Sequence, residues 1–370
     1  MPKKIKLKPI KPHTLYFLSI DEFAEFLGIN VSARSKLNWY EAVMGKLRIS
    51  DRSKDNLGRA GISPRLAMRV MRPILRFMYK KNLLRNLKKY PRNIEINDVI
   101  HAWLSALESF SMEDKYLDTH LLVKFLEDRN EKYQDIKIFI DDAPTLTPEN
   151  EAQLLTQYFS LMATKTLLNS EEQQAALKIV KRKNKEVLNL SDFHKTSFFK
   201  LIFDFHLSIY SVIDLILLSS FHKVEEYQSG FFSTLFDVEG ETYFGKLLNH
   251  ITAHTDSSDY KLAKYIQIKR KEEQERNSTI HEVQLSTLQD WKSGKTKPTP
   301  STLKKFYECI ADDSDEEFDY LPVIIISMLC IALDKKCDSL KTASDLTAFK
   351  AVFSTESYTR YFHSAKARML

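Results

Sequence analysis

The side chains best suited to chemistry lie in one run, Val283 to Phe306. Gln284, Ser286, Thr287 and Gln289 carry amides and hydroxyls, which donate and accept hydrogen bonds without making or breaking covalent ones. Lys292, Lys295 and Lys297 follow directly and gather positive charge where a phosphate backbone can sit. That is the chemistry of recognition. The chemistry of catalysis is poorly represented: the sequence has no phosphate-cradling glycine loop, no nucleophile elbow and no CxxC pair. His250 and His254 stand at i, i+4, as helical metal ligands can, but Ile rather than Glu occupies position 251. His254 also shares the face of Leu247 and Ile251, which favours a core or capping role. Asp141 and Asp142 lack the nearby Glu-x-Lys of many nucleases. The expectation is a binding protein, not an enzyme, with no cofactor and no metal.

The elements that must position these side chains are a short helix, a stop and a second helix. Leu285, Leu288 and Trp291 recur every three residues and share one helical face. Gly294 comes at once, where a helix can end in a left-handed residue. Thr299 supplies a capping oxygen and Pro300 suits the first helical position. Leu303, Phe306, Tyr307 and Ile310 then form an apolar stripe at i, i+3, i+4 and i+7.

At these residues the chain resembles the helix-turn-helix of phage-repressor-like (Cro/C1-type) DNA-binding domains. There a recognition helix ends in a Trp-x-x-Gly-x-x-x-Pro run, matched here by Trp291, Gly294 and Pro298, with Leu288, Thr302 and Leu303 matching its flanks. Phe244, Leu247, Leu248 and Ile251 suit the first helix, Leu262, Ala263, Tyr265 and Ile266 the second, and Leu321 to Leu333 the fifth. The resemblance covers roughly residues 243–335. It departs from the family at Gln267, where a turn glycine is usual, in a charged insertion from Lys269 to Glu282, at Gln284 in place of a small capping residue, and at Asp290 on the recognition helix. The resemblance implies that Leu285, Leu288 and Trp291 seat the recognition helix. Gln284, Ser286 and Gln289 then face base edges, Thr287 faces either way, and Lys292, Lys295 and Lys297 grip phosphate. Such domains often act as two-fold dimers, so a homodimer or another protein partner is expected beside double-stranded DNA.

The remaining 270 or so residues must support that unit. Hydrophobic residues make up 43% and charged residues 28% of the 370, ordinary for a globular protein, and only 8 glycines interrupt pervasive helical periodicity. The fold class expected is all-α: a multi-helical protein with a C-terminal repressor-like helix-turn-helix domain. Charge is uneven. Residues 1–100 hold 22 Lys and Arg against 8 Asp and Glu, while the rest hold 33 against 41. Residues 1–18, with five lysines among three prolines, suggest an extended basic arm. Residues 19–142 suggest a basic helical domain in which Arg65, Arg69, Arg72 and Arg76 recur every three or four residues, a spacing that can track phosphates. Ala24, Leu27, Gly28 and Ile29 there resemble the first half of another helix-turn-helix, a second DNA-binding unit weighed against a plain helical pair.

Ile136 to Ile140 alternates weakly, as a short strand would. Residues 148–229 suggest a central helical core or oligomerisation region, with a long aromatic helix from Phe198 to Tyr227 whose Phe198, Phe199, Phe203, Phe205, Tyr210 and Phe221 serve packing. Residues 230–242 suggest a linker and residues 336–370 a helical tail. Three cysteines without paired spacing and no secretory signal point to a reducing cytoplasm, and no apolar run reaches the length of a membrane span. Sequence-specific DNA binding in transcription regulation is the function this pattern favours. The alternatives are a DNA-binding accessory subunit of a mobile-element or phage-defence complex, and a nucleic-acid-processing enzyme built from scattered residues.

Overall fold

A computed structural model describes residues 15–18, 20–27, 100, 103, 120–143, 150–180, 191–236, 242–254, 257–268, 279–313, 320–340 and 342–369. Thirteen helices and no strand occur among them. The chain divides into two compact units, one of residues 1–14 and 18–106, the other of residues 15–17 and 107–370. The arginines at 65, 69, 72 and 76 lie outside the described residues, as do most of the basic arm and Gly28 and Ile29.

In the first unit, helix α1 (Ile20–Phe26) turns Phe23 onto Trp103, with ring centroids 5.6 Å apart. The indole Nε1 of Trp103 donates to the Leu18 carbonyl at 2.8 Å.

The second unit is built around α5 (Asp192–Ser220), which starts after Ser191. Its neighbours are α2 (His120–Asp142), α3 (Glu151–Thr164), α4 (Ser170–Val180) and the last two helices, α12 (Ala343–Val352) and α13 (Thr355–Met369). Leu201, Phe205, Leu207, Ile209, Tyr210 and Leu215 are fully buried, so α5 is covered nearly all round. By length and composition it could cross a membrane, but 83% of its most apolar stretch is buried among other helices.

A helix so enclosed must satisfy its polar groups internally. Asp204 receives Arg129 Nη1 at 2.7 Å and the Tyr361 hydroxyl at 2.8 Å. Asp214 accepts from the Phe232 N–H at 3.1 Å and the Tyr358 hydroxyl at 2.8 Å. Burial pushes its carboxyl up to about 7 against the pull of those hydrogen bonds. Glu172 on α4 takes both guanidinium arms of Arg360 at 2.9 Å and Lys200 at 2.8 Å. Burial pushes the Glu172 carboxyl up, but Arg360 and Lys200 together overcome it and hold it at about 2.

Several sequence expectations give way here. Ile136 to Ile140 is the last part of α2, not a strand. Alternate residues on a helix diverge, so Ile136 is buried while Ile138 is exposed; Ile140 shares the face of Ile136 but stands in the last turn and is exposed as well. The long aromatic helix stops at Ser220 instead of reaching Tyr227, and Phe221 is exposed, not packed. The segment 230–242 is more than a linker, because α6 (Ser233–Phe236) inserts Leu235 and Phe236 into the aromatic core beside Tyr358 and Phe353. Gly230 makes that entry at φ +83°, where an added Cβ would lie 2.6 Å from Asp214 Oδ2. The C-terminal helices dock on α5 through Phe349, Phe353, Tyr358 and Tyr361, all buried.

Candidate nucleic-acid interface

The candidate interface stands on five consecutive helices: α7 (Tyr243–His254), α8 (Asp259–Ala263), α9 (Ile280–Lys292), α10 (Pro300–Asp312) and α11 (Tyr320–Ser339). Helix α7 buries Phe244, Leu247 and Leu248. Its first amides, Tyr243 and Phe244 N–H, donate to the Asp334 carboxylate of α11 at 2.8 and 3.0 Å. A carboxylate there also meets the positive end of the helix. Burial nevertheless raises the Asp334 carboxyl to about 6, against the pull of the Phe244 and Tyr243 amides.

Helix α8 is short because Ser258 caps its start, accepting from Lys261 N–H at 3.2 Å, and the chain turns after Ala263. Leu262, Ala263 and Ile266 are buried.

Helix α9 begins earlier than the repressor-like pattern suggested, at Ile280 behind a capping box. Thr279 Oγ1 accepts from Glu282 N–H at 3.2 Å and Thr279 N–H donates to the Glu282 carboxylate at 2.6 Å. Leu288 and Trp291 are buried and root the helix, with Trp291 edge-on to Phe306 at 5.6 Å. Leu285 is only half-buried. Gly294 closes the helix at φ +75°. Thr242 ties this end to α7: its hydroxyl donates to Lys292 O at 2.9 Å and accepts from Gly245 N–H at 2.9 Å. Helix α10 follows as its sequence indicated, with Thr299 as cap, Pro300 first, and Leu303, Phe306 and Tyr307 buried.

Opposite the root, Glu282, Ser286 and Gln289 form an exposed stripe at i, i+4 and i+7. Among the described residues no hydrogen bond engages the Ser286 hydroxyl or the Gln289 amide. Thr287 is half-buried and its hydroxyl donates back to Val283 O at 2.7 Å.

Gln284 is placed differently from the expectation of a base contact. It lies one turn before Leu288 on the rooted side, and its Nε2 donates to Lys264 O at 3.0 Å and Ile266 O at 2.8 Å. Its amide therefore closes the end of α8 and ties α8 to α9. Two of the three lysines are also committed. Lys292 pairs with Asp259 and is 16% exposed; Lys297 pairs with Asp338 and is 15% exposed. Only Lys295, 73% exposed beside Asp290 at 3.1 Å, projects into solvent.

Sequence reasoning passed over two cations that the fold makes prominent. Lys261 and Lys264 are exposed on and just after α8, and no ion pair engages either among the described residues. Their i, i+3 spacing ahead of α9 was the available signal. The candidate surface is therefore a polar stripe with Lys261 and Lys264 on one flank and Lys295 at the far end of α9, crossed by the carboxylates of Glu282 and Asp290.

Among the described residues no three His, Cys, Asp or Glu side chains gather as metal ligands. His250 instead sets its ring 5.1 Å from Phe231. Comparison with family models, curated proteins and solved structures finds no match for this chain.

Proposed function

We propose that helices α7 to α11 form a helix-turn-helix module that binds double-stranded DNA in a sequence-dependent way, and that the protein regulates transcription. The observation that carries this reading is the two-sidedness of α9. One side is anchored by Leu288, Trp291 and the Gln284 amide, while Ser286 and Gln289 stand exposed with no hydrogen bond to protein among the described residues. A capped, rooted helix with a free polar stripe is what major-groove reading requires, and glutamine pairs with adenine there. Lys261, Lys264 and Lys295 supply phosphate contacts. Two copies on a two-fold site would suit the short module.

Gln289 and Lys295 have separable roles. On duplexes recovered from a random pool, Gln289→Ala relaxes the preference at one base position, costing about 1–3 kcal/mol on the preferred sequence and little on others. Lys295→Ala weakens every sequence alike and lowers the salt slope by about one. Equal losses for both variants on all sequences contradict the assignment.

The commitment of Lys292 and Lys297 to internal carboxylates favours a second reading, in which the module is an accessory DNA-binding subunit of a larger complex, such as one serving a mobile element or phage defence. Weak autonomous selectivity, together with co-purification of a second protein that restores it, supports that reading over the first.

A further inference from the structure

Of the three side chains on the outward stripe of α9, only Glu282 is charged. It is exposed, it stands one turn before Ser286, and Gln289 completes the line at i+7. Its carboxylate is held in place, because Glu282 Oε2 accepts from Thr279 N–H at 2.6 Å while Thr279 Oγ1 accepts from Glu282 N–H at 3.2 Å. The capping box uses one carboxylate oxygen, and no hydrogen bond engages the other among the described residues. A carboxylate has lone pairs to spare for a second donor.

A fixed negative charge on a face turned towards phosphates opposes binding unless a donor meets it. The major groove offers two kinds of donor, cytosine N4 and adenine N6. Adenine sets its N7 acceptor beside N6, and guanine and thymine present only acceptors there, all of which repel a carboxylate. Cytosine N4 is the match.

We propose that Glu282 accepts a hydrogen bond from cytosine N4 and sets a preference for cytosine at one position of the bound site. This rests on the duplex-binding reading above and adds to it a second base and the residue that selects it. The spacing follows from the helix. With α9 lying along the groove, a rise of about 1.5 Å per residue puts Glu282 about 10 Å from Gln289, or about three base-pair steps of about 3.4 Å. The capping box holds the carboxylate ready, so little ordering is needed on binding.

The test selects duplexes from a random pool at low salt with the full-length protein, with Gln289→Ala and with Glu282→Gln, and sequences them. Glutamine can still accept from Thr279 N–H, so the capping box is kept, and helical content checks the fold. Wild type enriches cytosine about fivefold or more over the other bases, about three pairs from the position that Gln289→Ala relaxes. Glu282→Gln moves that preference to adenine and leaves the rest of the motif unchanged. A motif with no cytosine at that spacing, or the same base preference in wild type and Glu282→Gln, overturns the assignment while the duplex-binding reading survives. Tighter binding of Glu282→Gln to every duplex alike overturns it too, since the carboxylate is then only a repelled charge. If no duplex is enriched, both fall together.

Discussion

Gly245 sets local propensity against packing, and the two predict opposite signs for one substitution. In a helix, Gly→Ala ordinarily stabilises by about 0.5–1 kcal/mol, because alanine has less backbone freedom to lose. Here a Cβ on residue 245 would lie 2.2 Å from Lys292 O and 2.8 Å from Thr242 Oγ1, both inside the 3.0 Å below which real Cβ contacts essentially do not occur. Lys292 O is backbone, so α7 and the end of α9 must separate. That separation costs about 1–3 kcal/mol of overpacking. It also strains the two hydrogen bonds of Thr242, each worth about 1 kcal/mol. Set against the propensity gain, Gly245→Ala destabilises by about 2–4 kcal/mol. Urea unfolding followed by circular dichroism reads this as a lower midpoint with an unchanged slope. Amide exchange should locate the loosening in α7 and α9. An unchanged or raised midpoint would refute the close approach of these helices, and with it the way α9 is held.

The pH dependence of stability follows from three carboxyls. Asp214 and Asp334, raised by burial to about 7 and about 6, bind protons more tightly folded than unfolded, where the value is near 3.9. Their contribution to stability is therefore present at about pH 4 and is lost as pH rises to about 7. Glu172, lowered to about 2, acts oppositely: its contribution is present above about 4.5 and is lost as pH falls toward 2. Asp214→Asn keeps an oxygen for Phe232 N–H and Tyr358 and should flatten the decline between about pH 5 and 7; an identical slope in the variant contradicts the buried-acid account. Asp338→Asn releases Lys297, so duplex affinity and its salt slope should both rise, the slope by about one, while stability changes by less than about 1 kcal/mol. Weaker binding in that variant would mean that the ion pair supports the interface instead of restraining it.

The sequence displayed local chemistry well and distant partnerships poorly. Thr299, Pro300 and the stripe through Leu303, Phe306 and Tyr307 specify α10 because caps and periodicity act within a few residues. Gly294 announced its left-handed turn in the same way. The Thr279–Glu282 capping box is equally local, and it starts α9 at Ile280, ahead of Gln284, the cap position in the repressor-like pattern. The helical wheel alone puts Gln284 on the side of Leu288, so its inward placement was also available. What no local pattern contains is the pairing of Lys292 with Asp259 and of Lys297 with Asp338, or the capping of α7 by Asp334, since these join residues brought together only by folding. Likewise, the isoleucines of Ile136 to Ile140 favour strand by side-chain type, but the helix running from His120 overrides that preference.

The proposed recognition of DNA depends on α9 offering its outward side to a duplex. Selection of the full-length protein against random double-stranded DNA at low salt, followed by sequencing, tests this most directly. The prediction is a single enriched motif whose information is lost at one position in Gln289→Ala. Retention without enrichment, or no retention at all, would contradict it.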